Sequence, residues 1–506
     1  MIESLIIIPV IGALATFCAR SLLVRRWAFS AAATAHLLLT IRLWWSPRQV
    51  DPTAWLIIDA LGLLVLTSIS ILFFLTHISL YPALSTPEVE LRWRNLSRAS
   101  FNKTPARIFS SCLLLFLAAM TLVTVSQHLG LLWASLEATT LVSAPLFFFH
   151  RSRNSLEAMW KYLLVCSSGI ALGVLGIFFI AASLSASHHQ GMSLTVYSLL
   201  PIAKGLDLFW LKLGYIFIIV GFGTKMGLAP FHLWLPDAHS EAPSSVSTLF
   251  SGALLNCAFL GILRTYQVCD AAGINVFCDQ LLVLFGIISL CFSAIFLVKQ
   301  LEYKRMLAYS SIEHMGLLAL SIGMASHTGS FFGMFHLLNH SLTKGLLFLC
   351  SGNFLNTFHT KKTYDITGSS RLLPITSVLW LIGLFAICGL PPFSPFISKF
   401  GILQALFAHS YTIGFLVLSL LVIIVVAMSG PMLSMVQGGL PQSFSMASET
   451  DLRQPPAPEA PRKHNTEPLI TIISPLVLAA LILVLGVYMP TRLQLVLQDA
   501  SALLLR

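Results

Sequence analysis

Two glutamate–lysine pairs lie inside long apolar stretches of the chain, one pair in each half. Glu137, in WASLEATTL, precedes Lys225, in GFGTKMGLAPFHLW, by 225 − 137 = 88 residues. Glu313, in YSSIEHMGLL, precedes Lys399, in CGLPPFSPFISKF, by 399 − 313 = 86 residues. An ionisable side chain near the centre of a bilayer costs about 2.5–3.5 kcal/mol on insertion scales. A repeated pair of such residues therefore indicates stations on an ion path.

A buried glutamate–lysine pair can act as a proton switch. The pKa of a free lysine is about 10.4, so a lysine that binds and releases a proton near pH 7 needs strongly altered surroundings. Desolvation favours the neutral amine, whereas an approaching carboxylate favours the ammonium. If the distance between Glu137 and Lys225 changes, we expect Lys225 to hold or to release its proton. Moving one charge across 100 mV takes about 2.3 kcal/mol, which a switch of this kind is expected to supply.

Further titratable residues lie between Glu313 and Lys399. His336, His340 and Lys344 are spaced four residues apart, which stacks them along one face of a helix. Histidine titrates near neutral pH and can pass protons between neighbours. The pattern predicts a central proton relay, and His314, directly after Glu313, is a candidate member of it. The alternative for each histidine is a hydrogen-bonded packing residue.

Three more basic residues have two interpretations each. Lys161 either takes part in proton transfer or extends its ammonium group to the membrane interface. His232 and His239, in PFHLWLPDAH, either line a cytoplasmic entrance to the proton path or support neighbouring groups, and His239 has helix capping as a further alternative. Asp237, in the same motif, is predicted to cap the following helix, because Asp is common at helix starts.

The composition is that of a membrane protein. The chain of 506 residues is 56% hydrophobic and only 10% charged, whereas a soluble domain is about a quarter charged. Nine scattered cysteines without a CxxC motif predict neither an iron–sulfur cluster nor a zinc site. We expect no cofactor, no metal and no catalytic site in this chain. The net charge of +10 is interpreted as a topology signal, and no nucleic-acid partner is expected.

Hydropathy predicts an all-α polytopic fold with about 14 transmembrane helices, at roughly 20 apolar residues each. The predicted spans are 2–19, 27–45, 57–83, 107–126, 129–149, 157–184, 207–233, 237–265, 275–298, 303–324, 328–356, 372–406, 411–436 and 468–488. Nearly all loop lysines and arginines follow odd-numbered helices, which places those loops in the cytoplasm. Both termini are then expected outside, for a multi-pass protein of the bacterial inner membrane.

Predicted helices 4–8 and 9–13 form two five-helix repeats. Each repeat carries one glutamate–lysine pair, and helices 7 and 12 are broken by Pro230 and by Pro391 with Pro392. An odd number of helices requires the second repeat to be inverted, and broken helices at matching places indicate a transport site. The predicted regions are 1–106 (three helices and a cytoplasmic loop), 107–265 (first repeat), 275–436 (second repeat), 437–467 (flexible cytoplasmic linker) and 468–506 (last helix and tail).

Four segments carry a family resemblance: GTKMGLAPFHLWLPDAHSEAPSSVSTLFSG (223–252), LEYKRMLAYSSIEHMG (301–316), FHLLNHSLTKGLLFLCSG (335–352) and GLPPFSPFISKFGIL (389–403). They resemble the antiporter-like, proton-translocating membrane subunits of respiratory complex I, multisubunit cation/proton antiporters and membrane-bound hydrogenases. The likeness covers predicted helices 4–13. AMWKYLLVCSSG and AYSSIEHMG make the chain most similar to the hydrogenase-4 F-like subunit.

The resemblance implies roles for the residues above. Glu137 and Lys225 would form the charged pair of a first half-channel, and Lys399 would be the terminal lysine of a second. The central relay would be His336, His340 and Lys344.

One position departs from the family pattern. Relatives often carry a lysine or histidine in the middle of predicted helix 8, where this chain has Asn256. An amide does not bind or release a proton near neutral pH, so either a water chain or Glu313 with His314 would have to bridge the relay.

The sequence therefore predicts a proton-translocating subunit of a redox-driven membrane complex of the hydrogenase-4 or complex I type. Other membrane subunits and a soluble redox arm are the expected partners, and the chain would serve an oxidoreductase complex without its own redox chemistry. Two alternatives stay open. The first is a sodium/proton antiporter module or the membrane subunit of an ion-driven uptake system. The second is an anchor that moves no protons and binds a soluble oxidoreductase, and the amide at Asn256 is the reason to keep it.

Overall fold

The computed structural model describes residues 1–46, 51, 53–80, 105–147, 152–187, 191–439 and 467–505. Within these ranges the chain is helical, and β pairing is limited to isolated bridges such as Leu56 with Ser126. The all-α prediction is confirmed for this part of the chain. All but the last two residues of the predicted cytoplasmic loop at 84–106, and all but the ends of the predicted linker at 437–467, lie outside the described residues.

The main helices are numbered α1 to α17 in chain order. From α8 onward these numbers differ from those of the predicted helices. The helices are α1 Ile2–Cys18, α2 Leu22–Leu43, α3 Ala60–Leu80, α4 Pro105–Val125, α5 Leu129–Phe147, α6 Arg153–Ala186, α7 Leu208–Met226, α8 Trp234–Glu241, α9 Ser244–Ala271, α10 Asn275–Leu297, α11 Tyr303–Gly323, α12 His327–Phe358, α13 Pro374–Cys388, α14 Ser394–His409, α15 Tyr411–Val436, α16 Leu469–Val487 and α17 Thr491–Ala502. A short helical turn, Val196–Leu199, precedes α7.

Nine helices of the described part are long and apolar enough to cross a membrane: α3, α4, α5, α6, α7, α9, α10, α15 and α16. A membrane protein with several spans is thereby confirmed, whereas the count of fourteen stays a prediction. The helices α11 and α12 are also long, but they carry many buried polar residues, which lower their hydropathy. These two polar helices are the ones that supply most of the candidate relay.

Both proline-containing segments interrupt helices. The helix α7 ends at Met226, Gly227 follows with φ 84°, and α8 begins only at Trp234. The helix α13 ends at Cys388, and Gly389 follows with φ 78°. Glycine tolerates positive φ because it has no Cβ. A Cβ on Gly389 would also lie 3.0 Å from Cδ of Lys399, so this glycine leaves room for the lysine.

The helices α9, α11 and α12 form the centre of the described fold. Every residue in the apolar window of α9 is buried, whereas α15 buries only 28% of its window. A helix that is apolar all round is a buried helix, and the outer helices expose leucines and phenylalanines, as a lipid-facing surface does. The candidate site residues on α11 and α12 therefore lie in the interior of the bundle.

Two close contacts fix the helices around this centre. The helices α6 and α7 approach through glycines, since a Cβ on Gly221 would lie 2.5 Å from the amide nitrogen of Gly173. Small residues at a helix–helix contact allow close backbone packing in membranes, and this contact sets the position of Lys225 one turn later. Asp59, just before α3, forms a buried, two-bond ion pair with Arg264 of α9.

Candidate functional site

The first glutamate–lysine pair is separated. Lys225 is fully buried at the end of α7, and its Nζ donates to the carbonyl oxygen of Leu136 and to Oγ1 of Thr140, both on α5. Glu137 is half-buried, and its Oε1 accepts a hydrogen bond from Oγ of Ser167 at 2.7 Å. The structure describes both members of the pair, and no ion pair within 4.0 Å joins them.

The second pair is closed. Lys399 of α14 donates from Nζ to Oε1 of Glu313 on α11 at 2.8 Å, and both side chains are buried. The same ammonium group donates to the carbonyl oxygen of Ile387 at 2.8 Å, near the end of α13. The break between α13 and α14 thus brings a backbone acceptor and a carboxylate to one lysine. Residues 86 positions apart in sequence meet here as a buried ion pair.

The central lysine resembles Lys225 in its contacts. Lys344 of α12 is fully buried, and its Nζ donates to the carbonyl oxygen of Leu307 at 2.7 Å and to Oγ of Ser310. Each of these two lysines therefore reaches one backbone carbonyl and one hydroxyl on a neighbouring helix. Neutral acceptors of this kind hold an ammonium group in place without a fixed counter-charge.

The histidines of α11 and α12 form one cluster. Nδ1 of His314 lies 2.8 Å from Nε2 of His336, and the two rings are stacked with centroids 4.9 Å apart. Nδ1 of His336 lies 2.9 Å from Oγ of Ser398, the residue before Lys399. The cluster therefore extends from α11 through α12 to α14, next to the closed ion pair.

His340 joins the same cluster through its ring. The ring centroid of His340 lies 4.9 Å from that of His314, and its Nε2 lies 3.2 Å from the carbonyl oxygen of Ser251. Ser251 lies in a π-helical turn of α9, Phe250–Leu254. Such turns change the backbone hydrogen-bond pattern and occur often at functional sites. The two histidines of α12 thus meet through the ring of His314, which comes from α11.

Asn256 lies beside this cluster and links α9 to α12. Its Nδ2 donates to Oγ of Ser341 at 2.7 Å and to the carbonyl oxygen of Gly252 at 3.1 Å. Its Oδ1 is shielded from solvent and has no protein partner among the described residues. The amide therefore holds the turn of α12 that carries His340, and it leaves one acceptor free.

Sequence reasoning missed the hydroxyl and amide groups that connect the titratable residues. They are Thr140, Ser167, Ser251, Ser310, Ser311, Asn339, Ser341 and Ser398. A usable signal was present, because Ser310, Ser311 and Ser398 each lie within three residues of a predicted site residue. Their partners, however, come from other helices, and sequence spacing does not supply those.

Lys161 belongs to a separate polar cluster at one end of the bundle. Its half-exposed ammonium group lies 2.8 Å from Glu157 and 3.1 Å from Asp237, and Asp237 also pairs with Arg305. These residues line a cavity of about 220 Å³ together with Ser240 and others. The prediction that Asp237 caps a helix is wrong: no side chain caps α8, and this carboxylate binds two cations instead.

The histidines of the PFHLWLPDAH motif pack against aromatic rings. His239 is fully buried and stacks on Phe348 with ring centroids 4.9 Å apart, and neither of its ring nitrogens has a hydrogen-bond partner among the described residues. His232 is buried edge-on against Phe292, at 5.4 Å between centroids. Neither ring lines the cavity beside Lys161, and an entrance role for them stays a prediction.

The described side chains contain no group of three His, Cys, Asp or Glu residues arranged to hold a metal ion. The central cluster contains titratable rings and hydroxyl groups, and His314, His336 and Ser398 lie at hydrogen-bond distances from one another in series. Histidine can accept and donate a proton at its two nitrogens, and hydroxyl groups can do both at one oxygen. Along His314, His336 and Ser398 a proton can therefore pass between neighbours, whereas His340 meets His314 through ring contact alone among the contacts described.

Comparisons with known proteins agree with the resemblance seen in the sequence. The family described as NADH:quinone oxidoreductase/Mrp antiporter, TM, matches residues 126–425. The Hydrogenase-4 component F homolog of Methylacidiphilum infernorum is 37% identical over 305 residues, which cover 60% of this chain and 64% of that protein. The chain thus aligns with somewhat less than two thirds of that relative's length.

Two solved structures have the same fold. A chain of the membrane-bound sulfane sulfur reductase, described as an archaeal respiratory membrane complex, superposes with a TM-score of 0.82 at 22% identity, covering 100% of this chain and 97% of that chain. A chain of the Mrp complex from Dietzia sp. DQ12-45-1b gives 0.81 at 17% identity, covering 99% and 97%. The matched region contains every candidate site residue from Glu137 to Lys399. The chain belongs to the NADH:quinone oxidoreductase/Mrp antiporter transmembrane family.

Proposed function

We propose that the chain is a proton-translocating membrane subunit of a multisubunit complex, in which protons pass through two half-channels joined by a central relay. The observation that carries this proposal is the buried contact series His340, His314, His336 and Ser398, which ends beside the Glu313–Lys399 ion pair. Ionisable residues within membranes are expensive to bury and are typically functional. A series of them in mutual contact has a clear use in proton transfer.

The relay works through changes of partner. Lys399 holds its proton while Glu313 lies at 2.8 Å, because the carboxylate stabilises the ammonium group. When this pair opens, the lysine loses its counter-charge in a dry site and releases the proton. The hydrogen bond between Ser398 and His336 provides the next carriers. Lys344, held by Leu307 and Ser310, is the corresponding donor and acceptor at the other side of the histidines.

The first half would use the same chemistry in the opposite state. Lys225 is held by neutral acceptors, and Glu137 is bound to Ser167. Closing this pair would require Lys225 to leave Leu136 and Thr140 for the adjoining residue, Glu137. Opening one pair while the other closes would move charge along the middle of the bundle.

The topology belongs to the proposal as well. We place about fourteen helices in the membrane, with two inverted repeats of five and both termini outside, in a bacterial inner membrane. The matching breaks after Met226 and Cys388 and the glutamate–lysine pair in each half support this arrangement. The end of the bundle with Lys161, Asp237 and Arg305 is then the cytoplasmic one.

A redox-driven complex of the hydrogenase-4 or complex I type is the proposed setting, with other membrane subunits and a soluble redox arm as partners. The hydrogenase-4 relative at 37% identity supports it. The second candidate is a sodium/proton antiporter module or the membrane part of an ion-driven uptake system, which the shared fold with an Mrp complex favours. In either setting this chain holds no cofactor and moves the ion.

The test is proton translocation by the native complex in sealed membrane vesicles that carry the variant Lys344→Ala. We expect proton uptake to be lost while the complex stays assembled. The matched control is Lys362→Ala, which removes an exposed lysine between α12 and α13, and it should translocate as the unchanged chain does. Normal translocation in Lys344→Ala would overturn the proposal. Replacing sodium by choline in the buffer decides between proton transport and sodium/proton exchange.

A further inference from the structure

A cavity opens at the start of α12, whereas Lys344 lies near the middle of that helix. Its volume is about 440 Å³. The residues that line it come from the first turns of α12 and from α17: His327, Thr328, Phe331, Phe332, Gln498 and Ser501. Oγ of Ser501 donates to the carbonyl oxygen of His327 at 3.2 Å, which ties the two helices together at the rim.

The contact between α12 and α14 leads from the histidine cluster to this cavity in three layers. In the first layer His336 meets Ser398, at 2.9 Å. In the next layer the ring of Phe332 lies on the backbone of Gly401, where an added Cβ would be 2.1 Å from a ring carbon. In the third layer only small groups meet, since a Cβ on Gly329 would lie 3.5 Å from that of Ala405.

The middle layer is apolar, and the layers on either side of it are polar or small. Phe332 lies one helical turn before His336, about 6 Å along the axis of α12. Its ring is half-buried, with one part against Gly401 and another part lining the cavity. Thr328, one turn further out, and Gln498 place polar groups on the cavity side. The ring of Phe332 thus lies between the cavity and the His336–Ser398 contact, packed against buried aliphatic side chains that include Ile402 and Leu406.

We propose that Phe332 is a hydrophobic gate between the His336–Ser398 end of the relay and this cavity, and that the cavity is the outer mouth of the second half-channel. The proposal rests on the proposed function. Apolar constrictions gate ion paths by excluding water, and without water the proton has no carrier between His336 and the cavity. Rotation of the ring away from Gly401 into the cavity opens the route. Gly401 is required because any side chain there would displace the ring.

The test uses the native complex in sealed vesicles with an imposed pH gradient and no redox substrate, so that only passive proton flow is measured. Phe332→Ala should raise the passive proton flow about tenfold, which corresponds to about 1.4 kcal/mol of barrier. The matched control is Phe331→Ala. Phe331 also lines the cavity and lies edge-on to Phe332 at 5.2 Å between centroids, and its loss should leave the membrane tight.

Two further variants separate a gate from a packing defect. The added flow in Phe332→Ala should disappear in the double variant Phe332→Ala/His336→Ala, because the proton then lacks its carrier behind the gate. Gly401→Ala should raise the passive proton flow as Phe332→Ala does. If the Phe332→Ala complex does not assemble, Gly401→Ala is the variant to measure.

The proposal is overturned if an assembled Phe332→Ala or Gly401→Ala complex is as tight as the unchanged one. It is equally overturned if Phe331→Ala leaks as much, or if the leak persists without His336. These outcomes leave the proposed function standing as long as Lys344→Ala stops active translocation. If Lys344→Ala still translocates protons actively, the proposed function is contradicted, whatever the passive proton flow in Phe332→Ala.

Discussion

The two halves of the molecule hold the same residue types in different states. In the first half, Lys225 is bound to Leu136 and Thr140, while Glu137 is bound to Ser167. In the second half, Lys399 and Glu313 form a buried ion pair at 2.8 Å. One fold thus accommodates a buried lysine with neutral acceptors and a buried lysine with a carboxylate. Residue type alone therefore dictates neither state, which is what a switch requires.

The difference also has an energetic side. Removing one member of a buried ion pair leaves an uncompensated charge and typically costs about 3–5 kcal/mol. Removing a lysine held by neutral acceptors leaves only unsatisfied hydrogen-bond acceptors, at about 1–3 kcal/mol. The two lysines are therefore distinguishable by stability even where both variants lose transport.

The largest effect on stability is expected for Lys399→Ala. This change leaves Glu313 charged in a dry site, so the free energy of unfolding should fall by about 3–5 kcal/mol. Thermal unfolding of the detergent-solubilised complex measures it. The double variant Glu313→Ala/Lys399→Ala should recover part of the loss, because no charge is left without a partner. Equal losses in the single and double variants would contradict a coupled pair.

A smaller effect on stability is expected for Lys225→Ala. Its loss frees the acceptors of Leu136 and Thr140, at about 1–3 kcal/mol, while proton translocation should be lost. Glu137→Ala should also stop translocation, with less destabilisation, since Glu137 is half-buried and hydrogen-bonded to Ser167. Assembly is followed by size-exclusion chromatography. Full proton translocation in Lys225→Ala or Glu137→Ala would show that the proton path does not use the first glutamate–lysine pair.

Ser398→Ala tests the contact between the histidine cluster and the second pair. The variant removes the hydroxyl group that lies 2.9 Å from His336 and should cost about 1 kcal/mol of stability. The rate of proton translocation should fall about tenfold, because one transfer contact of about 1.4 kcal/mol is lost. Ser398→Thr, which keeps the hydroxyl group, should restore the rate. If Ser398→Ala keeps the full rate of proton translocation, the path does not run through the Ser398–His336 contact.

The smallest effect is expected for Lys161→Ala. Its ammonium group is half-exposed and bound to Glu157 and Asp237, and exposed ion pairs contribute only about 0–1 kcal/mol. Asp237 would keep Arg305 as its partner. Translocation should change less than for any of the buried lysines. If Lys161→Ala loses proton translocation as completely as Lys225→Ala, the cluster around Lys161 is part of the proton path.

Sequence supplied the elements of this fold better than their contacts. Apolar stretches and prolines located the helices and the breaks near Pro230, Pro391 and Pro392, because hydropathy and the missing proline N–H act locally. The repeat spacing selected Glu137, Lys225, Glu313 and Lys399, yet it did not predict that one pair is open and the other closed. That outcome depends on acceptors such as Thr140 and Ile387, which come from other helices.

The histidine cluster shows the same limit. Spacing along α12 stacked His336 and His340, but the ring between them is His314, from α11. The π-helical turn that aims the Ser251 carbonyl oxygen at His340 has no sequence signature. Asp237 was misjudged because a helix start favours capping locally, whereas Lys161 and Arg305 reach it from two other helices.

The decisive measurement for the role of the buried pair is proton translocation by the double variant Glu313→Ala/Lys399→Ala. Both charges of the closed pair are gone, so the complex should fold and assemble, and in the proposed redox-driven setting its partner subunits should still turn over. We expect no protons to cross the vesicle membrane during that turnover. Proton uptake at the rate of the unchanged complex would show that the buried pair is structural and would contradict the account.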